Sequence, residues 1–181
     1  MARGASFPLR HRMLRALFTL AWLVLARWTP PTMMRGWRNL ILRLFGARIH
    51  PSALVYGSVQ VWYPPNLKMA AGSTLGPGVI CYCMAQISIG RGAVVSQRSH
   101  LCGGTHDVDD PDFPLLALPI TIGDGAWIAA EAFVGPGVTV GASAVLGARG
   151  VATKDLEPGG VYAGNPARLL RRRTVRGASQ P

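Results

Sequence analysis

Aliphatic residues recur every six positions through the second half of the chain, at Ile122, Ile128, Val134, Val140 and Leu146. Each is followed at once by a small residue (Gly123, Ala129, Gly135, Gly141, Gly147) and four positions on by another short one (Ala126, Ala132, Val138, Ala144, Gly150). A helix would give a period near 3.6 and an ordinary strand a period of 2. A sustained period of six is a hexapeptide repeat and predicts a parallel β-helix. Each unit then forms one short flat strand, its aliphatic side chain fills a narrow prism, and the small residues permit tight corners. The same spacing runs earlier through Ile49, Val55, Val61 and Leu67, then Met69, Leu75, Cys81 and Ile87, then Ile89, Val95 and Leu101, with two-residue shifts between the runs. Cys81 falls on an inward position and reads as a small core hydrophobe. The repeat stops after Leu101 and resumes at Ile120. Residues 102–119, with three Pro and four Asp, read as a long loop leaving the coils, and such loops tend to carry function.

Ahead of the repeat the pattern is helical. Residues 13–28 run MLRALFTLAWLVLARW and stop at Thr29-Pro30-Pro31; a second stretch, Met33 to Phe45, mixes Trp37, Leu40, Ile41, Leu42 and Leu44 with Arg35, Arg38 and Arg43. The uncharged core of the first, Ala16 to Ala26, is eleven residues, well short of the roughly 20 that span a bilayer. Two readings stand side by side. Arginines beside Trp, Leu and Phe suit a helix lying in an anionic membrane surface, and the same helices would also cover the open end of a β-helix. The expected organisation is a basic helical arm over 1–48, a β-helix over 49–167 and a basic tail over 168–181.

Charge is unevenly spread. Residues 1–48 hold nine Arg and no acid, whereas residues 102–157 hold all eight acids of the chain, within a net charge of +11. The basic excess therefore sits at the ends and not where a folded site would lie, which argues against nucleic acid as a partner, since no aromatic platform is interleaved with it. With 22 Gly and 14 Pro a helical bundle is excluded, and 49% hydrophobic residues exclude a disordered chain. Three cysteines (Cys81, Cys83, Cys102) without a CxxC pair, and no signal-peptide pattern, point to a reducing, cytoplasmic setting.

Of the four histidines, His11 and His50 read as surface residues, and His106 stands at the mouth of the long loop, between Gly103-Gly104-Thr105 and Asp107. A neutral imidazole suits general-base work on a hydroxyl, and a neighbouring carboxylate (Asp107, or Asp109 or Asp112 by an unknown loop path) would orient it.

The stretch from Ile122 to Arg172 resembles the C-terminal half of the hexapeptide-repeat acyltransferases, among them the maltose, galactoside, nodulation and serine O-acetyltransferases. The branch attached to colanic-acid and other exopolysaccharide biosynthesis is nearest. That branch shares patterns like Gly36-Trp37-Arg38, Leu42-Arg43-Leu44-Phe45-Gly46-Ala47, Pro65-Asn66-Leu67 and the loop from Leu101-Cys102-Gly103-Gly104-Thr105-His106-Asp107 to Pro111-Asp112-Phe113. The resemblance implies a left-handed parallel β-helix of three hexapeptides per coil, a homotrimer with sites between subunits, acetyl-CoA as co-substrate without a metal, and His106 as the base. It implies no acyl-enzyme, so Cys102 is not the nucleophile. It implies that Trp127 borders the reaction centre, that the small Ala129-Ala130 beside it let the pantetheine arm lie on the backbone, and that Gly147-Ala148 and Thr153-Lys154 form the stretch that follows the cofactor; Arg168 suits a CoA phosphate, since a guanidinium meets phosphate through two hydrogen bonds. Arg171 to Arg173 read as a solvated or membrane-facing tail.

One stretch departs from the pattern. Cys81-Tyr82-Cys83-Met84-Ala85-Gln86 is nearly apolar where relatives with small soluble acceptors carry Asn or Asp, so acceptor contacts come from elsewhere, the Asp-rich loop being one source, and a lipid-linked glycan fits the chain. A γ-type carbonic anhydrase would need a third histidine ligand beside His100 and His106, and Pro111 spoils a calcium loop. An amino-sugar acceptor, giving N-acetylation, stays open. So does a non-catalytic β-helix scaffold for polysaccharide assembly.

Overall fold

A computed structural model describes residues 7–174. Two helices, α1 (Leu9–Leu25) and α2 (Arg35–Leu44), precede a triangular parallel β-helix. Its first face stacks Arg48–Ile49, Leu67–Met69, Ile87–Ile89, Ile120–Ile122 and Thr139–Val140. The second runs from Leu54–Val55 through Thr74–Leu75, Val94–Val95, Trp127–Ile128 and Val145–Leu146 to Gly160–Ala163. The third stacks Gln60–Val61, Ile80–Tyr82, His100–Cys102, Phe133–Val134 and Val151–Ala152. The repeat residues point inward as expected: Val55, Leu75, Val95, Ile128 and Leu146 form one fully buried ladder.

The two-residue shifts have a structural cause. In the first three coils equivalent residues lie 20 apart (Ile49, Met69, Ile89), whereas Ile122 and Val140 pair at 18. The extra pair lengthens the first-face strands to three residues, so that Leu67 with Met69, and Ile87 with Ile89, both face the core. Corners impose the small residues. A Cβ on Gly123 would sit 2.5 Å from the backbone nitrogen of Ala142 in the coil above. Gly123→Ala should therefore force the coils apart and lower stability by about 1–3 kcal/mol, measurable as a shift of the urea midpoint; an unchanged midpoint would mean that the corner yields freely.

At the corner between second and third faces, Arg98, Glu131 and Arg149 hold left-handed backbone (φ 57°, 60° and 57°) in successive coils. Glu131 bridges the two arginines, with Oε1 2.7 Å from Arg98 Nη2 and Oε2 2.7 Å from Arg149 Nε. Arg149, then Arg98, holds the Glu131 carboxyl below its ordinary range.

The helices cover the first coil. α2 turns Ile41 and Leu42 onto the first coil, α1 buries Phe18 and Trp22, and the Trp22 indole donates to the Gly57 carbonyl at 2.9 Å. Arg38, fully buried, donates to the carbonyls of Val55, Thr29, Pro30 and Pro31 and to the Thr29 hydroxyl, tying the turn between the helices to the β-helix. The arm thus caps the coils. The chain beyond Ala167, expected as a tail, instead adds Arg168–Arg172 as an antiparallel strand along Gly160–Ala163, and Arg172 pairs with Glu157. Neighbouring strands must find donors and acceptors, and this last strand satisfies the open edge of the sheet.

Candidate active site

The excursion at residues 102–119 is a hairpin and not an irregular loop. Gly104–His106 pairs antiparallel with Leu115–Ala117, His106 opposite Leu115, and the Leu118 amide closes its base on the Gly103 carbonyl at 2.9 Å. The acidic residues shape its tip. Asp107 Oδ1 accepts the Asp109 amide at 3.1 Å, and Asp110 Oδ1 accepts the Asp112 amide at 2.8 Å.

The His106 ring is exposed and held on two sides. Its Nδ1 lies 2.9 Å from the Phe113 carbonyl, and its ring stacks on that of Phe113 at 4.4 Å and 13°. A carbonyl oxygen only accepts, so Nδ1 carries the proton and Nε2 of the neutral ring presents a lone pair. The ring's hydrogen-bond partner is thus none of Asp107, Asp109 and Asp112. Nδ1 meets a backbone carbonyl and not one of these carboxylates, and Asp107 Oδ1 accepts an amide of its own turn. Phe113 itself holds left-handed backbone (φ 47°), which places its carbonyl and its ring together against His106.

The other expected site residues fall on two further edges. Trp127 stands outward and half-exposed on the second face, its indole Nε1 donating to the Ser96 hydroxyl at 2.9 Å. Beside it Ala129 and Ala130, and in the next coil Gly147 and Ala148, line the second-to-third edge, where the Arg149 amide donates to the Ala130 carbonyl at 2.9 Å. Thr153 and Lys154 are exposed after Val151–Ala152, on the third-to-first edge, and Arg168 is exposed in the last strand. His106 leaves the third face on its other side from the edge that carries Ala130 and Ala148. One chain therefore does not gather the imidazole and the Trp127–Ala148 track into one cleft.

An aromatic cluster absent from the sequence reading lies between α1 and the third face. Trp62 packs edge-on against Tyr82 at 5.4 Å, the Arg15 guanidinium lies 4.0 Å over the Trp62 ring, and His11 stacks on Tyr63 at 4.0 Å. His11, expected at the surface, is instead half-buried against Phe7, Trp62 and Tyr63. Burial, with a smaller contribution from Arg15, lowers its pKa. Arg15, Trp22, Arg27, Gln60, Trp62 and Tyr82 border a groove of about 500 Å³. Its Tyr82 end abuts the His106 hairpin, since a Cβ on Gly104 would lie 3.0 Å from Tyr82 Cε1 and against the Met84 sulfur. The signal in the sequence was the Trp62-Tyr63 pair together with Phe7, His11 and Arg15 at helical spacing. Among the described residues no three His, Cys, Asp or Glu side chains come together as a metal site.

No family model matches the chain. It is 41% identical over 146 residues to WcaF of Escherichia coli (strain K12), named as a colanic acid biosynthesis acetyltransferase, covering 81% of this chain and 80% of that one. It is 44% identical over 123 residues to the galactoside O-acetyltransferase of the same organism, covering 62% and 61%. Its fold matches the hexapeptide-repeat acetyltransferase of Vibrio cholerae O1 biovar eltor, solved with acetyl coenzyme A, with a TM-score of 0.80 at 23% identity over 97% of both chains. A maltose O-acetyltransferase from Clostridium difficile 630 matches with a TM-score of 0.78 at 23% identity, over 96% of this chain and 95% of that one. The triangular coils are those of a left-handed β-helix, and identity sustained across four-fifths of a relative places the protein in a defined group: the chain belongs to the hexapeptide-repeat acetyltransferase family.

Proposed function

We propose that the protein transfers the acetyl group of acetyl-CoA to a hydroxyl of a sugar or glycan precursor, in exopolysaccharide biosynthesis, and that it works as a homotrimer with sites between copies. The observation that carries the reading is the His106 ring, exposed on the hairpin with Nδ1 held 2.9 Å from the Phe113 carbonyl. Nε2 takes the proton of the acceptor hydroxyl as its oxygen attacks the thioester carbonyl carbon. The carbon–sulfur bond then breaks, and the leaving CoA sulfur receives that proton back from the imidazolium. The tetrahedral oxyanion requires an N–H donor at the cleft.

Separation of His106 from the Trp127–Ala148 track within one chain supports a cleft completed by a second copy. There Trp127 borders the thioester, Ala129, Ala130, Gly147 and Ala148 leave room for the pantetheine arm, and Thr153, Lys154 and Arg168 meet the nucleotide end, where cations suit phosphate. The acetyl-CoA and galactoside or maltose acceptors named for relatives agree with this reading.

The aromatic groove supplies the acceptor side that the apolar stretch around Tyr82 and Met84 left unassigned. Pyranose rings present flat C–H faces, and Trp62 and Tyr82 offer rings for them beside the His106 hairpin. Trp62→Ala should raise KM for a glycan acceptor by about tenfold and leave KM for acetyl-CoA unchanged; equal changes in both would move the acceptor elsewhere. The function as a whole is tested by calorimetric titration with acetyl-CoA, where saturable binding weakened by Lys154→Ala is expected. A wild type that binds no acetyl-CoA would favour the scaffold reading.

A further inference from the structure

α1 is apolar on two opposite sides, and only one of them is used. Phe18 and Trp22 are buried on the β-helix, while Leu9, Met13, Leu17, Leu20 and Val24, spaced to form one stripe away from it, are each more than half exposed. Amphipathic surface helices put polar residues on that side. The stripe continues in the turn to α2, where Trp28 is 79% and Met33 87% exposed. Arginines frame it: Arg10 and Arg12 beside its first turn and Arg27 after its last, all exposed.

The charge around this stripe is of one sign. From residue 7 to His106 the chain contains no Asp or Glu, so the helices and the first three coils are wholly cationic, and the eight acids begin at Asp107. A second copy docked through the same stripe would set Arg10, Arg12 and Arg27 against their own kind with no carboxylate to answer them. An anionic lipid surface meets both requirements at once, accepting the apolar stripe below its headgroups and pairing the arginines with phosphates. No helix of the described residues is long and apolar enough to cross a membrane.

We propose that the outer stripe of α1, from Leu9 to Val24 with Trp28 and Met33, is a docking surface for an anionic lipid bilayer. α1 lies along the interface, and the β-helix is carried on the aqueous side. The proposal is independent of the acetyl-transfer reading, because its readout is partition and not turnover.

The test is sedimentation of the full-length protein with vesicles of phosphatidylcholine and phosphatidylglycerol in equal parts, against vesicles of phosphatidylcholine alone. The wild type should pellet with the anionic vesicles, lose binding as salt rises, and stay in solution with the neutral ones. Leu20→Glu should weaken partition by at least tenfold with an unchanged thermal midpoint. Arg10→Ser with Arg12→Ser, which leaves the stripe intact, should weaken it by roughly fivefold per arginine. A wild type that stays in solution with anionic vesicles overturns the proposal. So does equal binding by both variants, and so does a Leu20→Glu protein whose oligomeric state changes while its vesicle binding does not, which would give the stripe to a second copy.

Discussion

His106→Ala should lower kcat for acetyl transfer by roughly 10²–10⁴-fold, the range of a lost general base, and leave the affinity for acetyl-CoA within a few-fold. The expectation rests on the held ring: Nδ1–H on the Phe113 carbonyl at 2.9 Å and the stacked Phe113 ring leave Nε2 as the only basic position offered to a hydroxyl. Asp107→Asn is the companion variant. If Asp107 oriented the imidazole, removing its charge would cost about as much as a misplaced tautomer. Since its Oδ1 accepts the Asp109 amide instead, and an amide oxygen can do the same, less than about threefold is expected at the general-base step. Steady-state kinetics by thiol release separates the cases, and a large loss in Asp107→Asn with a small one in His106→Ala would reverse the assignment.

Arg38→Met should be the most damaging single change to stability. The guanidinium is fully buried and meets five acceptors, four of them backbone carbonyls from Thr29, Pro30, Pro31 and Val55. The exposed Pro30 carbonyl also accepts the Met34 amide at 3.2 Å, so the guanidinium matters most at the Val55 and Thr29 carbonyls. Methionine fills the volume and donates nothing, leaving the Val55 and Thr29 carbonyls without this partner at about 1–3 kcal/mol each before relaxation. A loss of about 3–5 kcal/mol after relaxation is expected, or a thermal midpoint lower by roughly 10 °C for a chain of this size. Arg38→Lys should recover only part, because one ammonium cannot span the fan that a planar guanidinium covers. Calorimetric melting checks both, and an unaltered Arg38→Met midpoint would show that the turn finds its donors elsewhere.

The coils were legible in the sequence because a β-helix repeats its environment. Each inward position of Ile122 to Leu146 faces the same prism, and selection for one side-chain size recurs with the period. The two-residue shifts were visible as well, but their cause, a coil of 20 residues, needed the register of Ile49, Met69 and Ile89. The excursion was located, yet not its pairing: three paired positions between Gly104–His106 and Leu115–Ala117 leave no side-chain period. His106 stood out by its residue type, whereas its partner did not, since a backbone carbonyl has no letter in the sequence. The aspartates nearby are visible in the sequence, and the atom that Nδ1 meets belongs to none of them. The aromatic groove stayed hidden because Phe7, His11 and Arg15 meet Trp62 and Tyr63 only after the arm folds back onto the coils.

The two edges that carry the expected residues also explain why no single chain displays a finished cleft. His106 projects from one side of the third face and Ala130 and Ala148 line the other. Mixing His106→Ala with Trp127→Ala protein under conditions that exchange subunits should therefore restore part of the activity that each lacks alone. No recovery at all would put both residues in a cleft of one chain.

The central account is most directly tested by mixing wild-type protein with acetyl-CoA and a set of hydroxyl-bearing glycans, free and lipid-linked, and following free thiol together with product mass. Thiol release that requires an acceptor, yields an alkali-labile acetyl ester on the glycan and falls with His106→Ala is the predicted result. Acetyl-CoA consumption that His106→Ala leaves intact, or a wild type that neither binds nor consumes acetyl-CoA, would contradict it.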